Sequence, residues 1–169
     1  EIPFREELSI VSSYLNLQKI RYGDRLSYNL SIGQNTENVS IPALSLQPLV
    51  ENTIKHCCET SSAPVSILVT SEWDGNNLSI QVLDNGPGIP EAITEAILSG
   101  REPGKSYGLY NVHTRLKKIV GPSGGLTIQH IDGETRVSFL IPKADTVPKA
   151  EDWKPPEEID TNEVRGYYG

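Results

Sequence analysis

Three runs in this 169-residue chain carry side chains suited to chemistry, and their spacing matters as much as their types. The first is QPLVENTIKH, Gln47 to His56. If the run is helical, Asn52, Lys55 and His56 stand at i, i+3 and i+4 and share a face opposite the leucines. An amide oxygen, an ammonium and an imidazole together suit a metal-bound polyphosphate. Magnesium takes hard oxygen ligands while keeping waters, and lysine meets phosphate as a point charge. The same run also reads as a surface helix with a Glu51–Lys55 pair. The second run is DNGPGIP, Asp84 to Pro90. Its glycines let a backbone approach a flat ligand, and a buried Asp84 can accept from the exocyclic amine of a purine; an ordinary turn uses the same residues. The third is GKSYGLYNV, Gly104 to Val112. Glycines running into a helix start offer free amides and a positive dipole end to phosphates. Its spacing fits neither a Walker loop nor a Rossmann fingerprint, and a capped glycine-rich loop is the plain alternative.

These runs need elements to hold them, and hydropathy periods supply the elements. Residues 3–22 read as a helix, with Pro3 in its first turn and Glu6 and Glu7 at its positive end. One stripe holds Phe4, Leu8, Val11, Leu15 and Tyr22, and a second holds Ile10, Tyr14, Leu17 and Ile20. Two stripes exceed what one small domain hides, so something else should cover the second. Leu26 to Ile32 alternates as a strand, and Ala43 to Cys57 returns to the helical period. Val65 to Val69 and Leu78 to Val82 form a hairpin around Asp74-Gly75, and Leu126 to Ile141 forms another around Asp132-Gly133. Between them, Gly108 opens a helix whose apolar face is Leu109, Val112, Leu116, Ile119 and Val120. The segment 90–107 reads as flexible, with apolar residues enough for only a short helical turn. The order α-β-α-ββ-α-ββ predicts an α+β fold, a mostly antiparallel sheet with helices on one face.

Composition narrows the field further. Fifteen basic against 22 acidic residues leave a net charge of −7, which argues against a binder of nucleic-acid backbone, whose footprint would be basic. No apolar run approaches the ~18 residues of a membrane span. Cys57 and Cys58 are adjacent and read as reduced thiols at a helix end, which predicts a cytoplasmic, reducing setting. The chain opens on Glu1, which predicts a fragment of a longer protein. Residues 143–169 hold four basic and seven acidic side chains and three prolines, and read as an irregular acidic tail with a short docked piece around Trp153.

In this order and with these intervals, the three runs resemble the N box and the two glycine boxes of the GHKL ATPase superfamily, which includes histidine kinases, type II topoisomerases and mismatch-repair ATPases. YLNLQKIRYGDRL (Tyr14 to Leu26) followed by IPALSLQPLVENTIKH (Ile41 to His56) is similar to the LytS/YehU-like branch of sensor histidine kinases. The resemblance runs from about Glu6 to Pro142.

It implies a Bergerat two-layer sandwich. Residues 1–24 would be a remnant of the dimerisation hairpin, 25–142 an ATP-binding catalytic domain, and 143–169 a tail outside it. The hairpin's missing half would cover the second apolar stripe. The resemblance further implies that Asn52 holds magnesium, with Glu51 beside it as a polar or basic group and Lys55 completing the catalytic set. Lys55 and His56 would face phosphates or ribose. Asp84 would read adenine, Gly86, Gly88 and Ile89 would make room for the base, and Thr135 would support Asp84 through water. Residues 90–107 would be a lid over ATP, hinged at Gly104 and Gly108, with Lys105 and Leu109 on its phosphate side. The implied activity is transfer of the γ-phosphoryl group to a histidine lying upstream of residue 1, since His56, His113 and His130 lack the acceptor context. Implied partners are the chain's own dimerisation and phospho-acceptor domain, a second protomer and a response regulator. The implied parent is membrane-tethered, with this soluble domain in the cytoplasm. An ATP hydrolase or clamp, with Glu51 activating water, and a nucleotide-binding module without catalysis are the alternatives. Ser106 and Glu134 depart from the pattern, which has glycines there.

Overall fold

The computed structural model describes residues 1–143; the expected tail and Trp153 lie outside them. In chain order the elements are β1 (Ile2–Pro3), α1 (Phe4–Tyr22), β2 (Leu26–Ile32), β3 (Ser40–Ile41), α2 (Gln47–Thr53), β4 (Val65–Asp74), β5 (Asn77–Asp84), α3 (Glu91–Leu98), α4 (Tyr107–Val120), β6 (Thr127–Ile131) and β7 (Glu134–Pro142). A π-helical turn, Ile54–Cys58, continues α2.

The alternating strands do what their period requires. Five of them form one sheet in the order β2-β4-β5-β7-β6. The β2–β4 pair is parallel and the other three are antiparallel. The register aligns Val69, Val82 and Val137 across three strands, and all three side chains are buried. Helices α1, α2 and α4 bury Leu8, Val11, Leu15, Leu49, Val50, Leu109, Val112 and Leu116 in the same core. A two-layer α+β sandwich results, as the order of periods predicts.

Helix α1 has no side-chain cap at its start. Its first amides instead donate to the Val39 and Glu37 carbonyls, each at 2.8 Å. The two-residue pair β1–β3 holds that loop in place. The surplus stripe is real: Ile10, Leu17 and Ile20 are 44%, 64% and 43% exposed, and Tyr14 is half-buried.

Three expectations need correction. The second helix begins at Gln47 rather than Ala43, because Leu44 takes a left-handed φ of 60° and Ala43 to Leu46 form a turn. The segment 90–107 contains an eight-residue helix, α3, rather than a single turn, because Ile97 drops fully into the core. Ile119 is 49% exposed, since it has rotated past the buried edge of α4. The turn from α4 to β6 is keyed by buried His113, whose Nδ1 accepts from the Leu126 amide at 3.0 Å. Gly125, at φ 119°, lies so close that a Cβ would stand 2.9 Å from the His113 ring. Burial, with the Lys117 ammonium adding to it, lowers the His113 pKa below the usual histidine value.

Candidate functional site

Helix α2 positions most of the site, and its start is set from a distant element. The buried Glu7 carboxylate of α1 accepts from the amides of Ser45 (3.0 Å), Leu46 (2.6 Å) and Gln47 (3.3 Å). These are amides that a helix start leaves without internal partners, and a negative group also complements the dipole there. From that start the inward face carries Leu49, Val50, Thr53, Ile54 and Cys57, all buried. The outward face carries Glu51, Asn52, Lys55 and His56.

The outward four line a cleft of about 640 Å³ whose opposite wall is the loop from Gly104 to Gly108. The structure thus brings together Glu51, Asn52, Lys55, His56, Gly104, Lys105 and Gly108. The expected Glu51–Lys55 pairing gives way to a bond from Gln47 Nε2 to Glu51 Oε1 at 2.7 Å. Partial burial, then the neighbouring Lys55 charge, lowers the His56 pKa. Gly104 sits at φ 67°, and Ser106 adopts φ 57°, the left-handed conformation that glycine takes most readily. Leu109 is fully buried in the core; only its main chain is left for a ligand.

The inward face leads to a second group. Asp84 ends β5 and is 7% exposed. Its Oδ2 accepts from the Thr53 hydroxyl at 2.9 Å, and its Oδ1 accepts from the Gly86 amide at 2.9 Å and the Cys57 thiol at 3.4 Å. Burial and the Asp84 charge push the Cys57 thiol up, so it stays protonated and able to donate. Gly86 has no room for a side chain, since a Cβ would lie 2.2 Å from Cys57 Sγ. Gly88, at φ 83°, has a Cβ position 2.9 Å from His130 Nδ1. Thr135 faces Asp84 across β5 and β7, and its Oγ1 lies 3.1 Å from His130 Nδ1. Ile89 is half-buried against the core.

Thr53, Cys57, Glu7 and His130 are the contributions that sequence reasoning missed. Thr53 and Cys57 had a signal available: they sit at i and i+4 on the apolar face of the helix that carries Asn52. A cysteine so placed has a neighbour to serve, beyond being a reduced thiol. Glu7 and His130 had none, because their partners lie on other elements.

A layered sheet and helix pair with a glycine-walled cleft beside α2 defines the class: the fold is that of histidine kinase catalytic domains. It superposes on the catalytic domain of histidine kinase ThkA with a TM-score of 0.60 at 22% identity, covering 82% of this chain and 92% of that one. ThkA has also been solved in complex with the response regulator protein TrrA, and that chain aligns with a TM-score of 0.59 at 22% identity, covering 82% of this chain and 40% of that one. Residues 42–145 match the family model "Histidine kinase-, DNA gyrase B-, and HSP90-like ATPase", and the chain belongs to that family. Among similar proteins, sensor histidine kinase YpdA of Escherichia coli (strain K12) is 33% identical over 146 residues, 86% of this chain and 25% of that protein. Sensor protein LytS of Oceanobacillus iheyensis is 31% identical over 148 residues, 83% of this chain and 25% of that protein. The chain therefore spans about a quarter of the length of these relatives. Among the described residues no helix is long and apolar enough to cross a membrane.

Proposed function

We propose that this chain is the ATP-binding catalytic domain of a sensor histidine kinase, serving transfer of the γ-phosphoryl group to a histidine on another segment. One observation carries the reading. A single helix presents Asn52, Lys55 and His56 to a cleft closed by the Gly104–Gly108 loop, while its inner face grips a buried aspartate. Asp84 reads the adenine amine, Gly86, Gly88 and Ile89 border the base, and Thr135 stands beside the carboxylate. Lys55, His56 and Lys105 face the phosphates, and the loop amides up to Gly108 and Leu109 add donors.

The residues present fit magnesium as a shared ligand. Among the described residues no cluster of three or more His, Cys, Asp or Glu could cage a metal by itself. Asn52 offers one hard oxygen in the cleft, which suits an ion that keeps its waters and takes phosphate oxygens. When bound, magnesium would neutralise phosphate charge; positioning and electrostatics by the protein then supply most of the rate.

Buried His113, at 3% exposure, is out of reach of a phosphoryl group. We assign the acceptor to a dimerisation and phospho-acceptor domain that meets the catalytic domain, 25–142, through residues 1–24, whose helix α1 buries Phe4, Leu8, Val11 and Leu15 in the catalytic core. The exposed stripe of Ile10, Leu17 and Ile20 supports that partner. A second protomer and a downstream response regulator complete the assembly, and the complex of ThkA with TrrA supports the latter. We infer that the parent protein is held at the membrane with this domain on the cytoplasmic side.

Calorimetric titration with Mg-ADP and a non-hydrolysable ATP analogue tests the reading. Both should bind, and Asn52→Ala should remove the magnesium dependence of phosphate affinity while sparing adenosine. Equal loss of both ligands would count against the assignment. Glu51 in the cleft wall favours one second reading, hydrolysis through an activated water. Phosphate release from ATP by the chain alone, lost in Glu51→Gln, would support that reading; turnover only with a histidine-bearing hairpin would support the first.

A further inference from the structure

The Asp84 carboxylate is nearly saturated before any ligand arrives. A carboxylate offers about four lone-pair positions. Among the described residues, three are taken: two on Oδ1 by the Gly86 amide and the Cys57 thiol, and one on Oδ2 by the Thr53 hydroxyl. One position on Oδ2 remains. The donors also have nothing left to give, because a threonine hydroxyl has one proton and a thiol has one. Thr53 and Cys57 are both buried, at 3% exposure each, so water does not compete freely for them.

We infer that Thr53, assisted by Cys57, is a positioning residue that sets the purine selectivity of this site. By holding the carboxylate on both oxygens, the pair leaves a single acceptor suited to one N–H of a 6-amino purine. By committing their own protons to Asp84, they leave no donor for the carbonyl of a 6-oxo purine. Selectivity between the two bases therefore depends on a helix residue that need not touch the base. The inference rests on the reading of Asp84 as the adenine acceptor.

The test is titration of the 169-residue chain with Mg-ADP and Mg-IDP, whose bases differ in carrying an amine or a carbonyl at position 6. Thr53→Val keeps the shape and removes the donor. It should weaken ADP by about tenfold, as for a lost bond to a charged group, and leave IDP unchanged, so that the ADP-to-IDP ratio collapses. Thr53→Ser should retain the wild-type ratio. A purely structural role would weaken both nucleotides alike, and a wild-type ratio in Thr53→Val overturns the inference. Should Thr53→Val not fold, Thr53→Cys places a weaker donor at the same point: an intermediate ratio supports the inference and a wild-type ratio overturns it. Asp84→Asn separates the two claims. If that variant keeps the wild-type ratio, the base is read elsewhere and the underlying assignment falls with the inference.

Discussion

The carboxylate of Glu7 accepts a hydrogen bond from the amide of Leu46 at 2.6 Å, across 39 residues of sequence. Glu7 belongs to α1 and Leu46 to the turn that starts α2, so the first helix sets where the second begins. Everything that the outward face of α2 presents to the cleft is registered from this point.

Glu7→Gln should therefore cost about 1–3 kcal/mol, the usual penalty for weakening a buried charge-assisted contact. Urea denaturation reads the loss directly. An unchanged midpoint would mean that the α2 amides find other partners and that Glu7 does not set the helix.

Asp84→Asn should leave the fold intact and weaken ADP by about 2–3 kcal/mol, as for a charge-assisted bond, or roughly 30- to 140-fold. Titration calorimetry alongside a far-ultraviolet spectrum distinguishes lost binding from lost structure. Wild-type affinity would move the base to another place.

Stability should fall as the pH drops below about 6.5, the unfolded histidine value. Burial holds His113 below that value in the folded protein, and His56 is shifted in the same direction. A lowered histidine pKa means that the unfolded chain takes up the proton first. The stabilising contribution is thus fully present above the unfolded pKa and is lost as pH falls toward the folded one. Protonated His113 Nδ1 can no longer accept from Leu126. Urea midpoints measured across this range should slope downward, and His113→Leu should flatten the slope while lowering stability overall. An unaltered slope in that variant would assign the effect to other groups.

Hydrogen exchange should divide the 90–107 segment in two. Ile97 is fully buried and anchors α3, and the amides of Ile93 to Arg101 are bonded within that helix and its end, so residues 93–101 should exchange slowly even without nucleotide, whereas 102–106 should exchange rapidly. Mg-ADP should slow the stretch near Gly104 to Gly108. Ile97→Ala should bring 93–101 up to the rate of its neighbour; if 93–101 is already fast in the wild type, Ile97 does not anchor it.

Periodic and punctuated features were legible in the residues themselves. The alternation of Leu26 to Ile32, the turn at Asp132-Gly133 and the surplus stripe of Ile10, Leu17 and Ile20 all appear in the fold, and the first hairpin turns at Gly75-Asn76, one residue past the expected Asp74-Gly75, because side-chain alternation and turn chemistry act over a few neighbouring residues. The face shared by Asn52, Lys55 and His56 was equally local, since helical spacing alone decides it. What escaped is every contact whose partner lies on another element. Ile97 makes α3 a helix because a core pocket receives it, which no count of apolar residues in 90–107 reveals. Leu44 delays the start of α2 with a left-handed backbone, and the Arg115 guanidinium of α4 bonds its carbonyl. Thr53 and Cys57 read as packing in the sequence and become donors only when β5 carries Asp84 beneath α2. Local periods select elements, but the hydrogen-bond partners of a buried carboxylate are chosen by which elements the sheet brings within 3 Å or so of it.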